Sequence, residues 1–186
     1  MPTEREKMVA GEFYRAGDSE LRQLRIAARQ HMKQFNDELD GQIRSDLLKS
    51  WLGSTGQHIY MEPNFYCDYG SNIHVGEDFY ANFNCTMLDV CPIRIGNNAM
   101  LGPNVQLLTP LHPLDPDERN SGLEYGAPIT IGDNFWAGGG AIILPGVTLG
   151  DNVVVGAGSV VTKSFGDNVV LAGNPARVIK EIPVNR

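Results

Sequence analysis

The sequence predicts a mainly β fold, a solenoid of stacked six-residue repeats, preceded by a helical segment and interrupted by one protruding loop. Three observations carry this reading. Ile131, Ala137, Ile143, Leu149, Val155 and Val161 stand six residues apart and are all aliphatic. The same spacing holds at Val75, Ala81 and Met87, and again at Ile95, Leu101 and Leu107. Residues 1–54 lack that texture and carry three- and four-residue apolar spacing instead.

In the N-terminal segment, Leu21, Leu24, Ala28, Met32, Phe35 and Leu39 mark one face of a helix. Asp18 and Ser19 stand where its N-cap belongs, and Gly41 is the expected stop. Leu47, Leu48, Trp51 and Leu52 predict a second short helix, ended by Gly53. Residues 55–186 form the solenoid part. A period of six fits neither an amphipathic helix nor a long strand; it fits a short strand and a tight turn, repeated so that each coil buries what it cannot bury alone. Gly76, Gly96, Gly102, Gly132, Gly138, Gly150 and Gly156 follow the aliphatic positions, where a turn with φ > 0 is expected.

The phase breaks twice. Between Leu107 and Ile131 the chain runs TPLHPLDPDERNSGLEYGAP, rich in proline and charge, which predicts an excursion loop over 108–128. It holds His112, between Pro110 and Pro113. Spacing alone leaves His112 open between a solvated loop residue and a proton-transfer group. A shorter break, LDVCPIRI, inserts two residues between Met87 and Ile95. Cys85 and Cys91 near it read as packing thiols, since no histidine lies close in sequence. His31 is expected to be exposed on its helix, and His58 and His74 to be surface or packing residues.

Composition narrows the function. A formal charge of -7 disfavours nucleic acid, which requires a basic surface. No run of 18 apolar residues predicts a membrane span. The charged start MPTEREKMVAGEF has no apolar stretch of a secretory leader, and three irregularly spaced cysteines fit neither a disulfide framework nor a zinc site, so a cytoplasmic setting is expected.

The stretches DYGSNIHVGEDFYANFNCTMLDVCPIRIG, LHPLDPDERNSGLEYGAPITIGDNFWAGGGAIILPGVTLGDN and VVGAGSVVTKSFGDNVVLAGNPARVIK resemble the hexapeptide-repeat transferases. Within them, the hexads, the His-Pro loop, the Trp-containing hexad and the terminal NPARVIK resemble the maltose and galactoside O-acetyltransferase family, in particular its maltose branch. The resemblance implies a left-handed parallel β-helix, a homotrimer with active sites between subunits, acetyl-CoA as donor, a small sugar as acceptor and no metal. It implies His112 as general base, with the backbone N–H of Gly139 donating to the oxyanion. Asn82 would hold the acceptor and steady the transition state, with Asn84 a weaker candidate. Asp18, Asp68 and Asp89 fall at acceptor-site positions, and Trp136, Gly139, Ala157, Thr162, Lys163, Arg177 and Lys180 at donor positions. Each has a plain alternative: Asp18 as a helix cap, Asn82 as a turn residue, Trp136 as packing between coils, the basic residues as solvated surface. Asp68 and Val90 depart from the galactoside branch, which points to a glucose- or maltose-type acceptor. Pro110-Leu111 before the His-Pro also departs from relatives.

Other readings stay distinct. A zinc enzyme of the γ-carbonic-anhydrase type needs three histidines, and Asp117 stands five residues after His112 with no histidine nearby. A binding scaffold without activity, and an acetyltransferase with a non-sugar acceptor, remain the alternatives.

Overall fold

The computed structural model describes residues 1–183. The chain opens with α1 (Glu4–Ala10), β1 (Tyr14–Arg15), α2 (Ser19–Asp37) and α3 (Gly41–Trp51). The first coils then follow as β2 (Ile59–Met61), β3 (Phe65–Cys67), β4 (Ile73–Val75), β5 (Phe79–Ala81), β6 (Cys85–Leu88), β7 (Ile93–Ile95), β8 (Met100–Leu101) and β9 (Gln106–Leu108). The excursion holds β10 (Pro110–Leu111), α4 (Pro116–Asn120) and β11 (Leu123–Gly126). The coils resume as β12 (Ile129–Ile131), β13 (Trp136–Ala137), β14 (Ile142–Ile143), β15 (Thr148–Leu149), β16 (Val154–Val155) and β17 (Val160–Val161), and end in β18 (Val169–Gly173) and β19 (Ala176–Glu181).

Successive coil strands fall in three different sheets, with four, seven and five strands, so the fold is a three-sided β-solenoid of about six turns. Coil strands pair in parallel and in one register, such as Ile95 with Ile131 and Ile131 with Leu149. Every aliphatic position of the six-residue phase is buried, so these residues form the apolar core of the prism.

The glycines serve another purpose than the expected one. Positive φ falls two residues later, on Asp78, Asn98, Asn134, Asn152 and Asn168 at the first edge, between the four- and seven-stranded sheets. Asn and Asp tolerate that region better than other side chains. The glycines are needed because coils approach closely. A Cβ on Gly132 would lie 2.8 Å from the Gly150 carbonyl carbon, and one on Gly138 would lie 2.6 Å from the Ala157 nitrogen. The first edge also carries a ladder: Asn97, Asp133, Asp151 and Asp167 each accept, through Oδ1, a backbone N–H from the neighbouring coil at 2.7–2.8 Å.

Helices close the first end of the prism. Asp18 caps α2, accepting from Glu20 and Leu21 N–H, and Asp40 caps α3. Gly41 therefore starts a helix instead of stopping one, because Glu38 already ends α2 with extended backbone. Phe35 and Trp51 meet Phe65 edge-on at 6.3 and 5.9 Å, so the helices share the solenoid core. His31 is half-buried, its ring stacked 5.4 Å from Trp51, and not exposed as expected. At the other end β19 folds back antiparallel on β18.

The excursion is not an irregular loop. β10 and β11 form an antiparallel hairpin, and β1 adds a third strand to it. Beneath lies a separate small core of Met8, Tyr14, Leu21, Tyr69, Val90 and Cys91. The two inserted residues of the shorter phase break, Val90 and Cys91, belong to that core.

Candidate active site

The second edge of the prism, between the seven- and five-stranded sheets, stacks residues 82–84, 102–104, 138–140 and 156–158. Backbone bonds lock the stack: Asn104 N–H donates to Phe83 O, Gly140 N–H to Pro103 O and Gly158 N–H to Gly139 O, at 2.8–2.9 Å. Asn82 and Asn84 thus share one edge with Gly139 and Ala157, which are far from them in sequence. Asn84 sits at φ 60 and forms the turn itself. Asn82 is half-buried, and its Oδ1 accepts the Phe83 N–H at 2.8 Å. Among the described residues, none of the corner's hydrogen bonds engages the Gly139 N–H, while those of Gly138 and Gly140 are taken. A side chain at 139 would be a tight fit, since its Cβ would meet Pro103 at 3.3–3.4 Å, against 2.6 Å to backbone at Gly138.

The third edge, between the five- and four-stranded sheets, holds residues 68–72, 89–92, the excursion and 162–164. His112 follows β10 directly and is exposed. The backbone after it is tied down by Arg119 of α4, which donates to the carbonyls of Pro113 and Leu114 at 3.1 and 3.0 Å. Asp68 lies on this edge, half-buried. Burial pushes its carboxyl up, Glu124 adds to the effect, and Arg25 and Arg29 partly offset it. Thr162 and Lys163 are exposed here, the Lys163 ammonium standing 5.5 Å from the centre of the Phe165 ring.

Asp89 requires a correction. It is 0% exposed and cannot touch an acceptor in this conformation. Its Oδ1 accepts the Asp68 and Tyr69 N–H at 3.0 and 2.9 Å, and its Oδ2 accepts the Asn72 N–H at 3.2 Å. It holds the Asp68–Tyr69 turn from below. Burial raises its carboxyl to about 7, against the lowering effect of the Tyr69 N–H. Asp18 is a helix cap in geometry, as described above. Burial likewise pushes the thiols of Cys85 and Cys91 to about 11, which keeps them protonated and inert at neutral pH.

The donor candidates on the seven-stranded face form a row. Trp136, 51% exposed, pairs in register with Val154, Val154 with Val170, and Val170 with Lys180. Arg177 is exposed on the same last strand, and its guanidinium bonds its own neighbour's carbonyl, Ala176 O, at 2.9 Å. The sequence reading missed Tyr14, Arg25, Arg119 and Glu124 around the hairpin. No repeat or motif marks them; only the folded hairpin brings them together.

Comparison with known proteins gives the class: an acetyl-CoA-dependent acetyltransferase built on hexapeptide repeats. Residues 7–56 match the maltose acetyltransferase hexapeptide capping motif, and residues 128–163 match the bacterial transferase hexapeptide of six repeats. A solved maltose O-acetyltransferase from Clostridium difficile 630 is 54% identical with a TM-score of 0.97, over 98% of this chain and 99% of that one. A galactoside acetyltransferase solved in complex with coenzyme A is 42% identical with a TM-score of 0.93, over 98% and 92%. The galactoside O-acetyltransferase of Escherichia coli K12 is 43% identical over 95% of this chain and 88% of that protein. The chain belongs to the maltose and galactoside O-acetyltransferase family. Among the described residues, no group of three His, Cys, Asp or Glu could hold a metal ion, and no helix is long and apolar enough to cross a membrane.

Proposed function

We propose that the chain moves acetyl from acetyl-CoA to a hydroxyl of a small sugar such as maltose or glucose, at a site shared between copies of the chain, with His112 as general base. The observation that carries this is the split of the site. His112 and Asp68 stand on the third edge of the prism, and Asn82 and Gly139 on the second, with the five-stranded face between them. A strand of three residues spans ~10 Å, too far for one histidine to serve both edges. A homotrimer around a threefold axis sets the third edge of one copy beside the second edge of the next.

A sugar hydroxyl is too weak an acid to attack as alkoxide at neutral pH. His112 takes its proton as the oxygen forms a bond to the thioester carbonyl carbon. The resulting oxyanion lies where the untaken Gly139 N–H can donate to it. Asn82 holds the acceptor. Collapse breaks the carbon–sulfur bond, and the imidazolium returns the proton to the leaving thiolate. No covalent enzyme intermediate is needed, which accords with thiols buried in their protonated form. Trp136, Ala157, Thr162, Lys163, Arg177 and Lys180 would line the donor path, the cations gathering positive charge for the CoA phosphates in a chain of net charge -7. Asp68 and Val90, where the galactoside branch differs, support a glucose or maltose acceptor.

The test incubates the protein and acetyl-CoA with a panel of sugars and amino acids and reads products by mass. Maltose and glucose should lead. His112→Ala should lower kcat by about 10²–10⁴-fold. Light scattering with size exclusion should give three chains of 20.4 kDa each. A panel led by amino acids, near-full turnover in His112→Ala, or an active monomer would each overturn a stated part.

A further inference from the structure

The hairpin that carries His112 is held by the N-terminal segment, and we propose that Tyr14 is a positioning residue for the reaction, acting through Glu124. The inference rests on the reading of His112 as general base.

β11 is the middle strand of a three-stranded antiparallel sheet. On one side it pairs with β10, Pro110 with Gly126 and Leu111 with Tyr125, one residue short of His112. On the other side it pairs with β1, Tyr14 with Glu124 and Arg15 with Leu123. The hairpin alone is two short strands, and an isolated hairpin is marginal in water. Its stability must come from what it packs on. Tyr14 is 1% exposed, and its hydroxyl donates to Glu124 Oε2 at 2.7 Å. A hydroxyl bonded to a carboxylate in a half-buried place is among the stronger neutral-to-charged contacts. Burial, and then Glu124, holds the phenol far above its usual range, so it stays a donor at every working pH.

Neighbouring contacts point the same way. Phe13 meets the Tyr125 ring edge-on at 5.0 Å. Gly11, at φ 79, lies against the Gly126 carbonyl, where a Cβ would come within 2.8 Å. Cys91 Sγ–H donates to Met8 O at 3.2 Å, and Glu4 Oε2 accepts the Arg15 N–H at 2.6 Å. The segment before α2 therefore does more than close the prism. It supplies the third strand and, in Met8 and Tyr14, two of the six residues of the small core beneath the hairpin, and among the described residues Tyr14 is the one that joins core, strand pairing and a side-chain bond to β11.

Proton transfer needs the imidazole within hydrogen-bond reach of the acceptor hydroxyl, and small misplacement is expensive in rate. Tyr14→Phe removes the hydroxyl and keeps the ring, so the small core stays filled. Glu124→Gln tests the other end of the bond. Hydrogen exchange read by mass on peptides covering 108–128 should speed up about tenfold in Tyr14→Phe, with the coil peptides unchanged. With maltose as acceptor, kcat should fall about tenfold while the KM for acetyl-CoA stays within twofold. Tyr14→Phe/Glu124→Gln together should cost no more than the worse single change, as two ends of one bond do. Unchanged exchange over 108–128 overturns the latch whatever the reaction proves to be. Faster exchange with unchanged kcat overturns its role in positioning. Absence of sugar acetylation by the wild type overturns the proposed function and leaves the exchange result standing.

Discussion

Asp89 should give this protein a stability that falls as pH rises toward neutrality, and replacing it with asparagine should remove that fall. Its carboxyl is wholly buried and raised from an ordinary value of 3.8 to about 7. A group with a raised folded pKa contributes stability that is fully present below the unfolded value and lost as pH climbs to the folded one. The window is therefore pH 3.8 to 7. Within it each pH unit is worth ~1.4 kcal/mol, so from pH 5.5 to 7.5 the wild type should lose ~2 kcal/mol from this group alone. Asp89→Asn cannot ionise, and its Oδ1 can still accept the Asp68 and Tyr69 N–H. Its NH2, however, faces the Asn72 N–H that Oδ2 now accepts, which costs ~1–3 kcal/mol at every pH. Urea unfolding at fixed protein concentration, pH 5.5 and 7.5, reads both quantities. The variant should be the weaker at pH 5.5 and close most of the gap at pH 7.5. Parallel pH dependence in the two proteins would refute the argument.

Other consequences are as direct. Phe65→Ala removes the ring on which Phe35 and Trp51 both rest and should cost ~3–5 kcal/mol in chemical denaturation, with loss below ~1 kcal/mol counting against the shared core. Gly139→Ser should retain turnover within about threefold, because Pro103 need give by only a few tenths of an ångström, whereas Gly138→Ala should lower both turnover and stability by driving a methyl into the Ala157 backbone; equal effects would mean the edge is more pliable than its stacking implies. Arg177→Ala and Lys180→Ala should raise the KM for acetyl-CoA several-fold, leave kcat nearly unchanged and lose the effect as salt rises; a KM indifferent to both changes would return these residues to ordinary surface.

The solenoid was legible because its signal is strictly periodic. A buried aliphatic every six residues says where each inward side chain goes before any coil is seen, and all those positions proved buried. The reason for the glycines was not legible. A sequence cannot distinguish a glycine needed for positive φ from one needed for close approach, and the asparagines that take positive φ lay two residues on, unread. The ladder of Asn97, Asp133, Asp151 and Asp167 follows coil spacing, not hexad spacing, and the excursion hides its register. Helix α1 had a readable signal in Thr3 and Glu6, which form a capping box, but its seven residues show too few turns for periodicity. The hairpin is illegible in the sequence because proline and charge mask strands of two and four residues. Gly41 misled because a glycine can begin a helix when an aspartate stands before it. For the site, residue types along the chain could nominate His112 and Asn82, but the two edges on which they stand exist only once coils are counted in threes.

The two ends of the prism have a consequence for how such a chain can change. Coils in the middle are alike: Ile131 and Leu149 occupy the same station one turn apart, 18 residues on, each stacked between an apolar residue of the coil before and one of the coil after. Nothing in a middle coil says how many others there are. That information resides in the terminators, the Phe35 and Trp51 rings at one end and the reversed strand β19 at the other. Parallel strands left open at either end would accept another chain's edge as readily as their own next turn. The molecule is in this sense a polymer of fixed length. Its repeat unit could be gained or lost in whole turns, and its ends are what make it a discrete object.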